Sequence, residues 1–371
     1  MRIRTWLANL LCVSVMLFGC SVPRGAGLQT EVLAAQSSAK SDKQLPDFAV
    51  FPVTKTGLPV IADWPAAAGG GQSWIGRKQQ TASLIIAPGD SVSITVWDAE
   101  ENSLLAGPGQ KVTQLQPMQV SSGGSVFLPF VGDMRIAGMS PDGARKRIEA
   151  RYAETIPSAQ VQLSVVAGRA NTASLVSGVA NPGTFPLVDR DVTLLGLLSQ
   201  GGGVQSDLIN PQVRLFRGSA VYGISLSRLY DDPSLDTTLQ GGDRVIVEAE
   251  KRYFLSLGAA GTEALHLFPK DRVTALDALA IVGGLQDERA NPKGILILRE
   301  YAAKAVKSDG SGPPQKRVVF TVDLTTADGL FSAGQFAVMP GDLVYATESP
   351  VSSAKSVFGL LGTVIGVASK L

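Results

Sequence analysis

Residue types that could do chemistry are few in this sequence, and their spacing does not assemble a catalytic set. His266 is the only histidine, and it lies between Leu265 and Leu267 at the edge of a predicted strand. Because no second histidine or nearby thiol accompanies it, His266 is predicted to be structural and not a metal ligand or general base. No Ser/His/Asp triad can be nominated without it.

Two other segments carry reactive residue types in the wrong pattern. Residues 107–111 (Gly-Pro-Gly-Gln-Lys) lack the spacing and the Ser/Thr that a phosphate-binding loop requires. Asp98, Glu100 and Glu101 follow Trp97, but adjacent acids after a strand are more typical of a solvated turn than of a glycosidase pair. The sequence therefore predicts no catalytic residue, no metal site and no cofactor. A glycan-modifying enzyme that uses Asp98 or Glu101 is the least supported interpretation.

One cysteine stands where its position does indicate chemistry. Two arginines precede an apolar stretch, residues 6–18, and Gly19 and Cys20 follow it. This pattern is typical of a secretory signal peptide, since a membrane span needs about 20 apolar residues. Residues 17–20 (Leu-Phe-Gly-Cys) resemble the lipobox of bacterial lipoproteins, which implies cleavage before Cys20 and lipid attachment to its thiol. Ser21, in place of an aspartate, favours sorting to the outer membrane.

Composition and charge limit the remaining classes of fold and function. Cleavage at that point would leave about 350 residues, enough for two to four small domains. The chain has 40 Gly and 21 Pro, which favours many short strands and turns over long helices. Its 33 Lys and Arg nearly balance 32 Asp and Glu without forming a basic stripe, so no nucleic-acid partner is expected.

The elements that would position a site begin near residue 87. Residues 87–90 (Ala-Pro-Gly-Asp) lead into the strictly alternating strand 91–97, and residues 126–130 indicate a second strand. Ser140 and Pro141 are typical of a helix start, and the helix is predicted to end near Glu154. Residues 160–165 alternate again. The order β-β-α-β predicts an α+β domain.

An internal repeat follows, formed by residues 174–217 and 254–299. Each copy has a strand, a turn, a short helix with Thr193 or Thr274 as its N-cap, and glycines that end the helix. An Asn-Pro pair then leads into another strand. Each copy closes on a Gly-Asp turn that feeds a strand, at 241–243 and 340–342.

Taken in this order, these segments resemble the outer-membrane polysaccharide export lipoproteins (Wza-like). Residues 87–98 resemble the opening of the family's export domain, 124–132 its central strand pair, and 137–148 the turn and helix that follow. Residues 177–185, and more loosely 257–261, resemble the opening of soluble-ligand-binding β-grasp (SLBB-like) modules. The resemblance covers roughly residues 80–350.

The predicted fold class is α+β: a small export domain, two β-grasp-like repeats and a C-terminal amphipathic α-helix. The predicted segments are a signal peptide (1–19), a lipidated N-terminal tether and irregular region (20–80), the export domain (81–168), the first β-grasp domain (172–249), the second β-grasp domain (252–348) and a C-terminal membrane helix (350–371).

The last twenty residues carry an apolar stripe at helical spacing. As a helix they would be about 30 Å long, the thickness of a bilayer's hydrocarbon core. The expected lipid-facing residues are Val357, Leu360, Leu361, Val364, Ile365 and Ala368. The expected pore-facing residues are Ser352, Ser353, Ser356, Gly359, Thr363, Gly366 and Lys370. The resemblance implies a C-terminal helical barrel across the outer membrane, and a helix docked on the soluble body is the alternative.

The resemblance implies an outer-membrane translocon subunit that exports a capsular or extracellular polysaccharide through an oligomeric ring and a C-terminal helical pore. Its expected partners are further copies of the chain, the polysaccharide, an inner-membrane polysaccharide co-polymerase and outer-membrane lipid. Most of the chain would lie in the periplasm. The alternative is a periplasmic glycan-binding or scaffold lipoprotein that forms no pore.

Overall fold

The structure is a computed structural model that describes residues 25–34, 47–65, 73–78, 83–99, 105 and 109–351. The described residues of Gly71–Glu250 form one unit, and those of Met1–Gly70 and Lys251–Leu371 form a second. The predicted signal peptide, Cys20 and residues 352–371 of the predicted C-terminal helix (350–371) lie outside the described residues.

The described chain is a mixed α/β protein. Its strands, in chain order, are β1 (Ala49–Pro52), β2 (Ser91–Trp97), β3 (Val112–Gln114), β4 (Met118–Gln119), β5 (Ser125–Leu128), β6 (Gly132–Arg135), β7 (Gln160–Val166), β8 (Thr172–Ser177), β9 (Gly183–Pro186), β10 (Gln212–Arg217), β11 (Ala220–Ser225), β12 (Arg244–Glu248), β13 (Tyr253–Gly258), β14 (Ala264–Leu267), β15 (Ala290–Glu300), β16 (Arg317–Val322) and β17 (Leu343–Glu348). Its helices are α1 (Gln29–Val32), α2 (Leu58–Ala62), α3 (Pro141–Ala153), α4 (Leu194–Gln200), α5 (Leu226–Asp231), α6 (Ala275–Ile281) and α7 (Ala327–Gln335).

Residues 83–166, called here the α+β module, are built around β2. This strand pairs antiparallel with β3, β4 and β7. Its alternation is confirmed, because Val92, Ile94 and Val96 are buried while the residues between them are partly exposed. One face of the sheet therefore carries the core of the module.

Helix α3 covers that core. It begins where the sequence predicts, since the Ser140 hydroxyl accepts a hydrogen bond from Gly143 N at 3.1 Å and Pro141 occupies the first turn. Ala144, Ile148 and Tyr152, spaced by four residues, are fully buried on its inner face. Burial raises the pKa of Tyr152 to about 12, so the phenol stays neutral at physiological pH.

The strand predicted at residues 126–130 is shorter than expected. Strand β5 ends at Leu128, and the chain turns through Pro129 before β6 returns antiparallel. Pro129 has no N–H to donate to a ladder, and Phe130 takes a left-handed φ of 64°. Phe127 and Phe130 are 65% and 60% exposed on this hairpin.

The first repeat (residues 172–249) is a five-stranded sheet of order β11-β10-β12-β8-β9. Strands β8 and β12 are parallel, while the other pairs are antiparallel. Helix α4 begins at Thr193, whose hydroxyl accepts from Gly196 N at 3.2 Å, as predicted. Leu194, Leu197 and Leu198 bury this helix against the sheet.

The second repeat (residues 252–348) supplies five strands of a six-stranded sheet of order β1-β16-β15-β17-β13-β14, and the N-terminal region supplies β1. Its β13, β14, β15 and β17 correspond to β8, β9, β10 and β12, with the same parallel and antiparallel pairings. Helix α6 begins at the predicted cap Thr274, and Asp277 completes a capping box by accepting from Thr274 N at 2.9 Å. Helix α7 packs against α6.

The N-terminal region is more ordered than the predicted irregular tether. Strand β1 adds to the edge of the second repeat, parallel to β16. Trp64 is buried in the same core, with its ring 4.9 Å from that of Phe51 and 6.0 Å from that of Tyr301. The difference has a physical cause. Burial of the Trp64 and Phe51 side chains contributes more free energy than the ordering of this segment costs in conformational entropy.

The same tight turn stands before three strands: β2, β12 and β17. In each, a glycine two residues into the turn has a φ between +86° and +90° (Gly89, Gly242 and Gly341) and the following aspartate is 0–1% exposed. A positive φ at that place defines a type II turn and favours glycine. One carboxylate oxygen of each aspartate accepts from the N–H three residues earlier, at 2.7–2.9 Å.

In both repeats an arginine completes this turn. Arg217 donates to both carboxylate oxygens of Asp243 and to Thr238 O at 2.9 Å. Arg299 likewise donates to both oxygens of Asp342, at 2.9 and 2.7 Å, and to Ala337 O at 2.8 Å. Burial alone would lower the pKa of the Arg299 guanidinium, but the Asp342 carboxylate raises it above its usual value.

We predict that Asp342→Ala destabilises the second repeat strongly. The side chains of Arg299 and Asp342 are 3% and 0% exposed, so the substitution leaves a buried guanidinium unpaired and costs about 3–5 kcal/mol. Asp243→Ala should cost less, because Arg217 is 21% exposed and can be hydrated. Hydrogen exchange of the β15 and β10 amides in each variant measures both losses.

The exposed pair Lys316–Glu300 supplies the control, since both side chains are more than half exposed. Glu300→Ala should leave the exchange of β15 unchanged. Equal protection of β15 in Asp342→Ala and Glu300→Ala would contradict the structural role assigned to the buried pair.

Candidate functional site

The predicted lipid attachment residue and the predicted membrane helix cannot be placed in this fold. Cys20 and all the expected pore-facing and lipid-facing residues, which stand between 352 and 370, lie outside the described residues. Within the described part of the chain, no helix is both long and apolar enough to span a bilayer. The residues that can be placed belong to the α+β module and the two repeats.

His266 lies on β14, where its Nε2 is 2.8 Å from the Ser256 hydroxyl. The imidazole stacks on the ring of Phe254, with centroids 5.2 Å apart. Ser256 is fully buried, and its hydroxyl also donates to Thr262 O at 2.5 Å. A hydroxyl held in this way cannot reach a substrate, so the pair fastens the β13–β14 hairpin and is not a nucleophile with its base.

Asp98 is not the solvated acid that the sequence indicates. It is 3% exposed, and its Oδ1 accepts from the Ser158 hydroxyl at 2.5 Å. This bond joins the end of β2 to the loop before β7, which gives Asp98 a structural contact inside the module. Glu100 and Glu101 lie outside the described residues.

Metal chemistry has no support in the part of the chain that the structure describes. Among those residues, no group of three or more His, Cys, Asp or Glu side chains is placed to hold an ion. The carboxylates that are most deeply buried, Asp90, Asp243 and Asp342, stand apart in three separate turns, and each has its own hydrogen-bond donors.

The most constrained polar group in the α+β module is Asp90, which joins the module to the first repeat. Its Oδ2 accepts from Ala87 N and from Asn171 Nδ2, both at 2.8 Å. Its Oδ1 accepts from Gly168 N at 2.7 Å. Asn171 Nδ2 also donates to Ile85 O at 2.9 Å. Here the linker between β7 and β8 supplies the donors that an arginine supplies in each repeat.

Gly168 allows the backbone of the linker to approach the turn at Gly89 closely. A Cβ at this position would overlap the Gly89 carbonyl, so only glycine lets the linker backbone lie against the turn. Arg169 follows at once and is exposed at the surface. The buried carboxylate thus fixes where the first exposed side chain of the linker emerges.

Sequence reasoning missed Arg217, Arg299 and Asn171. A signal for the two arginines was present, because Arg217 is the last residue of β10 and Arg299 is the last but one of β15, the corresponding strand of the second repeat. Asn171 had no such signal, since its partner Asp90 is 81 residues away in a different module.

These features define a class of protein in which a small α+β module is followed along the chain by two related β-sheet repeats. The buried polar side chains stabilise turns and the junction after the module. Residues 78–166, which include this module, match the family model described as "Polysaccharide biosynthesis/export protein". The α+β module is therefore the part of the chain that is similar to this family.

Named relatives extend the match along the chain. The capsule polysaccharide export outer membrane protein CtrA of Neisseria meningitidis serogroup B is 24% identical over 362 residues, covering 93% of this chain and 91% of that protein. The Vi polysaccharide export protein VexA/TviF of Salmonella typhi is 24% identical over 356 residues, 94% of each chain. The capsule polysaccharide export protein BexD of Haemophilus influenzae is 26% identical over 284 residues, 71% of each.

These matches confirm the resemblance to outer-membrane polysaccharide export proteins that the motifs predicted. Those relatives are named for export and not for a chemical reaction. The Asp90 turn lies inside the matched residues, whereas its partner Asn171 lies just beyond them.

We predict that Asp90→Ala loosens the junction between the α+β module and the first repeat. The substitution leaves the backbone N–H groups of Ala87 and Gly168 without an acceptor and removes one of the two acceptors of Asn171 Nδ2, at a cost of about 3 kcal/mol or more. Trypsin should then cleave faster after Arg169, which can be measured by limited proteolysis of the folded protein.

Asp133 offers the matched control, because it is an exposed aspartate on β6 of the same module. Asp133→Ala should leave cleavage after Arg169 at the wild-type rate. If Asp90→Ala and Asp133→Ala are cleaved equally slowly, the buried carboxylate does not hold the linker.

Proposed function

We propose that this chain is a subunit of an outer-membrane conduit that exports a capsular or extracellular polysaccharide. Copies of the chain form a ring around a hydrated passage, and the C-terminal helices, residues 350–371, carry that passage through the outer membrane. Cys20 bears the lipid that anchors each subunit, and the bulk of the chain lies in the periplasm.

The observation that carries this proposal is the family match together with its extent. The export domain matches the family model, and the named relatives are similar over nearly the whole chain, including both repeats. A shared plan over this length supports a shared task better than one shared domain would. The deeply buried ionic groups hold turns and a junction and do not form a reactive cluster, which also favours transport over catalysis.

The tail supplies the physical basis for the pore. Its apolar residues recur on one helical face, and small and hydroxylated residues gather on the other. A single such helix would expose hydroxyl groups to lipid, whereas a ring of them turns those groups toward water. Transport through this passage needs a driving partner, and an inner-membrane polysaccharide co-polymerase is the partner that the family resemblance implies.

The first test is the assembly itself. Particle images of the protein extracted in detergent should show closed rings, because a conduit requires several copies around one axis. The alternative, a periplasmic glycan-binding or scaffold lipoprotein that forms no pore, predicts monomers in the same images. Monomers at every concentration examined would reject the conduit.

A second prediction concerns the anchor. Cys20→Ser should abolish incorporation of labelled palmitate and leave uncleaved precursor, since the thiol that carries the lipid is gone. Cys12→Ser is the matched control, because Cys12 is the other of the two cysteines and lies within the predicted signal peptide. Palmitate labelling of Cys20→Ser at the wild-type level, or its loss in Cys12→Ser, would refute lipid attachment at Cys20.

A further inference from the structure

One row of side chains crosses the outer face of the first-repeat sheet. Phe216 on β10 lies beside Arg244 on β12, and Arg244 lies beside Ser174 on β8. Ser174 lies beside Thr184 on β9, with their hydroxyl oxygens 3.2 Å apart. The residues that alternate with them, such as Leu215, face the core. The row is therefore a surface feature, and packing does not dictate its chemistry.

This row forms one wall of an open cleft of about 720 Å³. The linker at the Asp90 junction also lines the cleft, so Arg169 is held next to the sheet. The side chains that matter for binding are Arg169, Thr172, Ser174, Thr184, Phe216 and Arg244. The residues that line the cleft include two arginines and no aspartate or glutamate.

The positive charge in the cleft is not neutralised by the residues that the structure describes. Arg214, on the same strand as Phe216, pairs with Glu248 at 3.6 Å. No ion pair with another described residue is formed by Arg169 or Arg244, although both are exposed. The Arg244 guanidinium lies over the Phe216 ring, 5.7 Å from its centroid, which orients it without cancelling its charge. Two such cations favour an anionic ligand.

The second repeat shows that the fold does not require this chemistry. Its sheet has the same strand pairings, and the residues at the corresponding row are all leucines. They are Leu298, Leu343, Leu255 and Leu265, in the places of Phe216, Arg244, Ser174 and Thr184. The same scaffold therefore carries a polar, cationic and aromatic row in one copy and an aliphatic row in the other.

We infer that this cleft of the first repeat binds an acidic sugar unit of the exported glycan, an inference that rests on the proposed function. The arginines donate to the carboxylate or phosphate of the sugar, because the planar guanidinium matches the oxygens of both groups. Thr172, Ser174 and Thr184 supply hydroxyls that exchange hydrogen bonds with sugar hydroxyls. The ring of Phe216, over which the guanidinium groups of Arg214 and Arg244 lie, holds Arg244 at the edge of the cleft for this contact.

The test titrates the purified full chain with tetragalacturonate, a carboxylated probe, and with maltotetraose, a neutral probe of the same length. Wild-type protein should bind tetragalacturonate more tightly than maltotetraose, and added salt should weaken only the former. Arg244→Leu, which installs the residue type of the second repeat, should weaken tetragalacturonate binding roughly tenfold or more. Arg169→Gln should act in the same direction.

Arg147→Gln is the matched control, because Arg147 is an exposed arginine on α3, outside the cleft. It should leave the affinity for tetragalacturonate unchanged. Phe216→Leu keeps both arginines and tests the aromatic contact separately, with the second repeat as a precedent for leucine at this place. Thermal unfolding of each variant confirms that the comparison is between folded proteins.

Competition separates the two anion chemistries. Displacement of tetragalacturonate by glucose 1-phosphate but not by inorganic phosphate extends the site to phosphorylated sugars. Displacement by inorganic phosphate at equal concentration would overturn the inference, since the cleft would then bind any anion.

Other outcomes would also overturn it. If Arg244→Leu binds tetragalacturonate as tightly as the wild-type protein does, the site is rejected. The site is also rejected if the wild-type protein binds maltotetraose as tightly as tetragalacturonate. A change of oligomeric state in Arg244→Leu with unchanged glycan binding assigns the cleft to contacts between subunits. Export of surface polysaccharide is measured separately in cells that lack the gene. If export is lost but the purified protein does not bind the acidic glycan, this inference alone is rejected. If export is unchanged in those cells, the proposed function is rejected.

Discussion

The aspartate of each Gly-Asp turn is buried where its strand enters the sheet, and burial of a carboxylate is costly unless donors surround it. One oxygen of Asp90, Asp243 and Asp342 closes its own turn by accepting from the N–H three residues earlier. The remaining lone pairs need donors from elsewhere in the chain. Whatever segment supplies those donors is thereby fixed against the turn, so a local motif sets a long-range contact.

In the repeats, that contact continues into the helix. Arg217 and Arg299 satisfy the carboxylates and also donate to the carbonyls of Thr238 and Ala337. Thr238 in turn forms a β-bridge with Thr193, the N-cap of α4, and Ala337 forms one with Thr274, the N-cap of α6. The hydrogen bonds of these bridges are made by neighbouring residues, with Leu194 N donating to Thr237 O and Ala275 N donating to Phe336 O, so the turn and its arginine lie directly beside the helix start. A network of polar groups favours a single arrangement of the turn, strand and helix when every group in it has a hydrogen-bond partner.

The sequence predicts the local half of this arrangement. Thr193, Thr274 and Ser140 cap helices as their residue types and positions indicate, and the alternation of residues 91–97 matches a half-buried strand. These signals depend on neighbours within a few residues, so they can be read without the fold.

The other half depends on distant partners. Strand β1 pairs with β16, whose sequence is far along the chain, and nothing within residues 49–52 specifies that partner. Asp98 follows a strand and was predicted to be solvated, but the Ser158 hydroxyl 60 residues later makes its burial tolerable. Local polarity indicates whether a group needs partners, whereas only tertiary structure shows where they come from.

Comparison of the two repeats distinguishes the residues that the fold requires from the surface residues that are available for binding. The buried turn aspartate, its arginine and the capped helix are present in both, while the outer row of the sheet changes from Phe, Arg, Ser and Thr to four leucines. Because the inner face carries the core in each copy, substitutions on the outer row alter binding chemistry at little cost in stability. A leucine row offers neither a charge nor a hydroxyl to an acidic sugar, so the second repeat cannot duplicate the cleft of the first. The two repeats thus share one scaffold, and under the inference drawn above the specificity for ligand resides in outer-row side chains that the core does not constrain.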